Sequence, residues 1–467
     1  MEFFYQSPIA APVTALDAWH HRQGALARLT PPGEPVRVVV AAPAIHNGAQ
    51  AILKVGIFPG IWSTWTAEHR NVVPGQEFTD VQTDGPFALW EHTHRFLPDP
   101  NTHGGSLLQD HVTCAIHGGK LANLLARPLL QKRLDRLFQW RHTRTKMDLE
   151  SLQRLGPVRP QHILVSGASG MIGRALVPFL QQCGHKVTRL GRRPDGPDSL
   201  VWDPDNQALD LSGLAPVDCI IHLAGSNVAA GRWSARRRAE ILNSRVCATR
   251  VLAEAAAQMS PRPAVFLSAS GISCYAADGN AHDEASPTDT ATFLGKVVAA
   301  WEAAADPARA AGIRVAHLRL GVVLSPDGGA LAKLLPLFRL GFGGPIGHGQ
   351  RAFSWIAVDD VLDVFHRACL DTSFSGAVNL VAPDCPTNAA FSSMLGKVLQ
   401  RPAVLPTPDF LLTTLFGQMA EETLLADLRV MPNRLLQQAY PFRFPHLESA
   451  LRHLLQREPQ TNHTPKT

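Results

Sequence analysis

The sequence predicts two folds in tandem: an α+β unit in which a curved antiparallel sheet grips one long helix, then an α/β unit on a doubly wound parallel sheet with a small C-terminal lobe. Three observations carry this expectation. The apolar residues change from a strand-like period of about 2 to a helical one of about 3.6 toward residue 150. A glycine-rich turn joins a strand-like run to a helix-like run at 162–176. From there onward, strand-like runs alternate with helical spans, the pattern of a parallel sheet.

In the first unit, Ala51, Leu53, Val55 and Ile57 share one face of a strand, and Ala88, Trp90, His92, His94 and Phe96 share a face of another. A helical stretch follows at about 119–146, with Leu121, Leu124, Leu125, Leu129, Leu130, Leu134 and Phe138 at helical spacing. Several strands followed by one long helix read as a helix-grip arrangement. The boundaries are 1–150 for this unit and 151–161 for a linker, where Gly156, Pro157 and Pro160 interrupt both periods. The parallel-sheet domain spans 162–382, the C-terminal lobe 383–457, and 458–467 reads as a disordered tail.

The run His162-Ile163-Leu164-Val165-Ser166 reads as a buried strand. It leads into Gly167-Ala168-Ser169-Gly170-Met171-Ile172-Gly173 and an opening helix whose apolar face holds Ile172, Leu176, Phe179 and Leu180, with Gly184 as its stop. The three glycines have separate tasks: a tight turn at Gly167, close backbone approach to a pyrophosphate at Gly170, and close helix–strand packing at Gly173. Free N–H groups at the helix start suit an anion. Further strand-like runs fall at 186–190, 217–223, 264–268, 315–320 and 377–381.

After the second strand, where a site for an unphosphorylated ribose places Asp or Glu, the chain has Gly191-Arg192-Arg193-Pro194. Two guanidiniums match a 2′-phosphate, so NADP is expected ahead of NAD. A solvated basic turn would leave the preference open.

The glycine run resembles the TGxxGxxG fingerprint of extended short-chain dehydrogenases/reductases, with Ser166 where Thr is usual. Leu223-Ala224-Gly225 is similar to the family's LAG element. Gly231-Arg232-Trp233, Asn243-Ser244-Arg245, the 343–350 run Gly-Gly-Pro-Ile-Gly-His-Gly-Gln and the 355–360 run Trp-Ile-Ala-Val-Asp-Asp resemble segments of one atypical subgroup, an NAD-dependent epimerase/dehydratase-like epimerase family of unproven substrate. The resemblance covers about residues 160–456 and implies a Rossmann fold with a DUF1731-like C-terminal substrate lobe. It also implies an oxidoreductase or epimerase moving hydride between nicotinamide and a carbonyl or alcohol carbon. Phe78-Thr79-Asp80-Val81-Gln82, Gly85-Pro86-Phe87, the 90–96 strand and Asp110-His111-Val112 resemble the START-like (SRPBCC) ligand-binding superfamily. That likeness implies an apolar cavity and a hydrophobic ligand, with Trp62, Trp65 and Trp90 as lining or as solid core.

Within the family, a Ser or Thr after the fifth strand orients the substrate, and a Tyr-x-x-x-Lys pair transfers the proton, its Lys lowering the Tyr pKa. Ser270 matches the Ser. Phe293 and Val297 occupy the Tyr and Lys places, and Lys296 is turned about 100° away on the helix. Tyr275 is then the nearby tyrosine able to act as an acid/base or to pack on nicotinamide. Asn227, Arg232, Arg245, Arg351 and Trp355 are expected around the substrate, the cations as anion clamps or as structural ion-pair partners. Asp359 and Asp360 are expected to cap a helix starting near Val361. The departure at the Tyr–Lys places keeps a non-catalytic, NADP-binding regulatory protein open, and a hydrophobic-ligand carrier acting through the first unit is a third reading.

His92 and His94, with His69 or His111 nearby, invite a metal. Polar positions in a sheet cavity explain the same residues, and no metal is expected. The formal charge of +5, with 45% hydrophobic and 18% charged residues, describes a globular chain. Arg141-His142-Thr143-Arg144 and Arg236-Arg237-Arg238 read as solvated helix faces rather than a nucleic-acid surface. Seven scattered cysteines form no disulfide framework. No apolar run reaches the ~18 residues of a membrane span, and Met1-Glu2-Phe3-Phe4 lacks a signal peptide's order. A cytoplasmic address, a small-molecule substrate and no membrane or nucleic-acid partner are expected; the oligomeric state is left open.

Overall fold

Strand-forming runs at the N-terminus build a seven-stranded antiparallel sheet. The computed structural model describes residues 1–458 apart from 41, 43, 59, 206–208, 210 and 212, with backbone alone at Ile57 and Phe58. The expected tail at 458–467 lies outside the described residues except for Glu458. Two compact units are present, Met1–Pro160 with Pro178–Gly184, and Gln161–Val177 with His185–Glu458.

The first unit runs β1 (Glu2–Ile9), α1 (Val13–His21), α2 (Ala25–Arg28), β2 (Val36–Val40), β3 (Gln50–Phe58), β4 (Ile61–Val73), β5 (Glu77–Asp84), β6 (Leu89–Pro98), β7 (Ser106–Ala115) and α3 (Gly119–Leu155). The sheet order is β1-β7-β6-β5-β4-β3-β2. Alternation sets which face is covered. In β6, Trp90, His92, His94 and Phe96 are buried, and in β7 every second residue from Ser106 is buried. One apolar cluster joins Leu16 and Trp19 of α1 to Phe78, Phe96, Leu108 and Leu149; another joins Phe3, Trp90 and Val112 to Leu134 and Phe138 of α3.

The long helix departs from expectation in three ways. It continues to Leu155, through the first residues of the expected linker. Leu121, Leu124, Leu125 and Leu129 are exposed, up to 76% at Leu129. At about 1.5 Å per residue the helix is roughly 55 Å long, whereas strands of eight to ten residues span only about 30 Å, so its first turns outrun the sheet. Conversely, Arg141–Arg144 is not a solvated face. His142 and Arg144 are buried, His142 Nε2 meets Asp110 Oδ2 at 2.6 Å, and Arg144 lies over the Trp140 ring at 4.5 Å. This stretch of α3 crosses the covered face of the sheet.

The second unit runs β8 (His162–Ser166), α4 (Met171–Gln182), β9 (Lys186–Gly191), β10 (Ser199–Val201), β11 (Cys219–His222), α5 (Ala235–Gln258), β12 (Val265–Gly271), β13 (Asp278–His282), α6 (Phe293–Ala303), α7 (Asp306–Ala310), β14 (Arg314–Leu320), β15 (Val322–Leu324), α8 (Gly329–Arg339), β16 (Trp355–Ala357), α9 (Val358–Leu370), β17 (Gly376–Leu380), α10 (Asn388–Leu399), α11 (Asp409–Phe416), β18 (Asp427–Val430), α12 (Asn433–Gln437) and α13 (Leu447–Leu454). Its main sheet, β10-β9-β8-β11-β12-β14-β17, is parallel throughout. The strand order reverses between β8 and β11, the switch point outside which α/β sheets bind ligands. Strands β8 and β11 are wholly buried, as expected with helices on both faces. Residues 343–347 are tied to 405–407 through Leu405 N to Gly343 O and Thr407 N to Pro345 O. No helix among the described residues is long and apolar enough to cross a membrane, and the cysteines are free thiols.

Asp359 and Asp360 lie inside the first turn of α9, which starts at Val358, and do not cap it. Asp360 accepts from the Arg443 and Phe444 backbone N–H groups at 2.7 and 3.1 Å, which ties the C-terminal segment to α9. Burial raises its carboxyl to about 7. An acid with a raised folded-state pKa destabilises the fold as pH climbs from the unfolded value, near 4, through that folded value. The Tm difference between Asp360→Asn and the parent therefore becomes more favourable to the variant from pH 4 to 8 in thermal melts; a pH-independent difference contradicts the assignment.

Candidate functional site

The turn after β8 sits against the end of β11. Gly167 has φ +73°, and a Cβ there would stand 2.7 Å from Ala224 N and Leu223 C. A Cβ on Gly173 would stand 2.3 Å from Gly167 O and 2.6 Å from Ala168 Cα. Both positions exclude any side chain, and they bring the first turn of α4 down onto the loop. Ser166 and His222, paired in register, link the two strands through Oγ and Nδ1 at 2.6 Å. The result is a concave backbone cradle at the switch point, lined by Gly167–Gly173 and Leu223–Gly225, of the shape that a pyrophosphate fills.

Arg192 and Arg193 leave the end of the adjacent strand β9, are exposed, and form no ion pair among the described residues. Arg245, on α5, lies behind Gly225. Its guanidinium is 5.0 Å from the Trp301 ring and donates to the Ser226 and Ile241 carbonyls at 3.0 and 3.1 Å. No carboxylate meets it among the described residues, and burial together with Arg237 lowers it to about 10.

At the ends of β12, β14 and β17, Ser270, Arg319 and Asn379 stand side by side in register. They form one polar row. Ser270 Oγ donates to Glu302 Oε1 at 2.7 Å; Arg319 grips both Glu302 oxygens at 2.9 and 2.8 Å and reaches Tyr275 OH at 2.9 Å; Tyr275 OH donates to Asn379 Oδ1 at 2.9 Å. Burial pulls the Glu302 carboxyl up, and Arg319 more than reverses it. Burial pushes Tyr275 up to about 12, although Arg319 pulls it down. Ser270 and Tyr275 are thus 3% and 2% exposed with their hydroxyls committed. Ser273, in the helical turn Ile272–Cys274 that follows, is half-buried, and its hydroxyl has no partner among the described residues. It follows Ser270 by three residues, in the turn after β12, and its open hydroxyl is visible only in the structure.

Phe293 and Val297 join Trp233, Ile241, Leu294 and Met419 in an apolar cluster, and Phe293 meets the Trp233 ring at 5.1 Å. Lys296 is exposed. Glu422 accepts from the Phe293 and Leu294 N–H groups at 3.1 and 2.8 Å and so caps α6 from the C-terminal lobe. Other expected substrate contacts are placed differently. Trp355 is 0% exposed inside the core, so its indole does not line a cleft. Arg351 forms a two-pronged pair with Asp409 at 3.2 and 2.7 Å, which consumes the charge expected to clamp an anion. Asn227 is exposed, with Oδ1 held by Ala229 N at 3.0 Å, and exposed Arg232 donates to Thr414 O on α11 at 3.1 Å.

The first unit holds a cavity of about 340 Å³ walled by Trp65, Phe78, Phe87, Trp90, Leu134 and Leu137, with His20, His69, Asp80, His92, His94 and Arg141 also lining it. Trp62 is 40% exposed under Arg37 and is not among the lining residues. His111 lies on the opposite face of β7 from buried Asp110. Asp110 Oδ1 takes His92 Nε2 at 2.7 Å and lies 2.8 Å from His94 Nδ1. Asp80 Oδ1 takes His69 Nδ1 at 2.5 Å, and its Oδ2 lies 3.5 Å from His94 Nε2.

Residues 163–380 match the NAD dependent epimerase/dehydratase family, and 407–454 match a domain of unknown function, DUF1731. The Bos taurus epimerase family protein SDR39U1 is 38% identical over 299 residues, covering 63% of this chain and 99% of the relative. A Mycobacterium tuberculosis epimerase family protein is 35% identical over 293 residues, 62% of this chain and 96% of its own. Among solved structures, a Corynebacterium glutamicum protein described as a nucleoside-diphosphate sugar epimerase superposes with a TM-score of 0.79 at 31% identity, covering 98% of this chain and 91% of that one. Human SDR39U1 (isoform 2), solved with NADPH, gives 0.59 at 36% identity over 63% of this chain and 98% of its own. With a glycine cradle at the switch point of a parallel sheet and relatives matched over nearly their whole length, the chain belongs to the NAD dependent epimerase/dehydratase family.

Proposed function

We propose that the second unit is an NADP-dependent oxidoreductase or epimerase acting on a small carbonyl or alcohol substrate. The observation that carries the reading is the pairing of a cradle no Cβ can enter with two exposed guanidiniums at the next strand end that form no ion pair among the described residues. The cradle fits a pyrophosphate, and Arg192 and Arg193 fit a ribose 2′-phosphate in the manner guanidiniums favour. NADPH in the human relative supports the same choice. Gly167–Gly173 and Leu223–Gly225 would hold the dinucleotide, which supplies hydride chemistry at nicotinamide C4 when bound.

The chain's own contribution is orientation. Ser270 was the expected substrate-orienting hydroxyl; its bond to Glu302 makes it a positioning residue, and Ser273 takes the substrate-facing role. Tyr275 anchors the polar row instead of exchanging protons, because its raised pKa and two partners hold the proton in place. Arg245, without a carboxylate, offers a positive charge to an acidic substrate group, with Asn227 and Arg232 at the same edge. Arg351 and Trp355 shape the lobe from within. A second reading, a dinucleotide-binding regulator without turnover, is favoured by one observation: the Tyr and Lys places are filled by Phe293 and Val297 in an apolar cluster. For the first unit we infer a START-like fold binding a hydrophobic ligand, on the strength of its helix-grip order and its apolar cavity. In that unit a carrier role would need no chemistry from the second.

Two measurements test these roles. In fluorescence titrations, Arg192→Ala/Arg193→Ala weakens NADPH by at least about tenfold, or roughly 1.4 kcal/mol, and leaves NADH nearly unchanged; equal losses for both sink the 2′-phosphate assignment. With NADPH turnover on a carbonyl panel, Ser273→Ala lowers kcat about 10- to 100-fold, the loss of one strong hydrogen bond in the transition state. Ser270→Ala instead costs about 1 kcal/mol of stability. The reverse pattern returns the orienting role to Ser270, and absence of turnover with retained binding supports the regulatory reading.

A further inference from the structure

The covered face of the N-terminal sheet gathers a donor set that neither the dinucleotide chemistry nor an apolar ligand requires. Asp80 on β5 stands opposite His92 on β6, and His94 on β6 stands opposite Asp110 on β7. One ligating atom from each of Asp80, His92 and His94 lies within 4.8 Å of the others. Imidazole nitrogens and carboxylate oxygens bound at about 2.0–2.2 Å to a common ion are separated by roughly 3 to 4 Å, so only a small inward movement is needed. The Asp80 Oδ2 to His94 Nε2 separation of 3.5 Å is already in that range.

What distinguishes this group from a chance cluster is the layer behind it. Asp110 is buried and holds His92 by Nε2 at 2.7 Å, which leaves His92 Nδ1 without a partner among the described residues. The same carboxylate oxygen lies 2.8 Å from His94 Nδ1, and its other oxygen is fixed by His142, itself tied to Ser7 at 2.8 Å. His69 fixes the far oxygen of Asp80 at 2.5 Å. Histidines that bind a metal characteristically direct their other ring nitrogen to a carboxylate, which sets tautomer and orientation. Here one buried carboxylate bonds His92 and lies beside His94 Nδ1, at 2.8 Å but out of hydrogen-bond alignment. Buried Asp110 and partly exposed Asp80 bring two negative charges to one end of the cavity, faced by the histidines and by Arg141, and a divalent cation would add to that compensation.

We propose that Asp80, His92 and His94 form a site for a divalent transition-metal ion of the zinc or ferrous class, backed by Asp110 and His69. Two imidazoles and one carboxylate leave coordination positions unfilled, the arrangement of sites that accept an exogenous oxygen donor. All three residues line the cavity of about 340 Å³. A ligand in that cavity would therefore present an oxygen to the metal and its apolar body to Trp65, Phe78 and Trp90. In the sequence no Cys or carboxylate falls at ligand spacing from His92 and His94; Asp80 reaches them across the sheet.

The test uses the full chain, free of affinity histidines and stripped of metal, titrated with Co²⁺ and followed by its visible d–d absorption. One equivalent saturates the band, and Zn²⁺ then bleaches it by displacement. His92→Gln/His94→Gln weakens binding by at least about 100-fold. Asp110→Asn, which removes only the backing charge, weakens it about 10- to 100-fold, and His111→Gln on the other face leaves it unchanged. Absence of a saturable band in the unaltered protein overturns the proposal without recourse to any variant. A band that survives the double substitution overturns it equally, because the ion is then held elsewhere. If the double variant does not fold, the contrast between Asp110→Asn and His111→Gln decides the matter.

Discussion

At the head of the parallel sheet, two backbone segments pass so closely that a single methyl group would collide with the peptide of the other. A Cβ at Gly167 would lie 2.7 Å from the Leu223–Ala224 peptide, and one at Gly173 would lie 2.3 Å from Gly167 O. That contact fixes where α4 begins relative to β8 and how the loop after β11 approaches it. The backbone cradle follows from this one steric constraint, and strand order places it at the switch point. A seven-stranded parallel sheet, whose β8 and β11 are wholly buried, then holds the two segments in place.

The polar row beyond it organises the other half of the cleft. Ser270, Arg319 and Asn379 are cross-strand neighbours, so a single Arg–Glu pair holds Ser270 and Tyr275 directly and reaches Asn379 through the Tyr275 hydroxyl. In a buried setting such a pair needs every lone pair satisfied, and here the hydroxyls of Ser270 and Tyr275 serve that need. Phe293 and Val297 of the neighbouring helix α6 lie in an apolar cluster, and the lobe's Glu422 caps that helix.

The N-terminal unit follows a different logic. Its sheet buries apolar residues toward α1 and α3, yet the same face carries Asp80 and Asp110, each meeting two or more histidines. Carboxylates drawn out of water are costly unless paired; cross-strand register supplies the partners from β4 and β6, and packing of α3 adds His142. The pairing also keeps an apolar cavity polar at one end, so a bound molecule would be oriented as well as enclosed.

The sequence by itself determined the elements whose physics is local. Glycine at 167, 170 and 173 after an apolar run specifies the turn, and strand-like runs at 186–190, 264–268, 315–320 and 377–381 lie within three residues of the ends of β9, β12, β14 and β17. Tertiary structure decided everything that depends on a distant partner. Ser270 turns to Glu302, 32 residues away, and Arg351 is neutralised by Asp409, 58 residues away. Trp355 is sealed in the core, Arg144 is buried although its segment is charged, and the leucines of α3 before residue 130 stay exposed because the sheet ends beneath them. Periodicity reports which face of an element is apolar; it carries no information on what the fold brings against that face, and the charge partners that decide a polar side chain's role are set by register and packing.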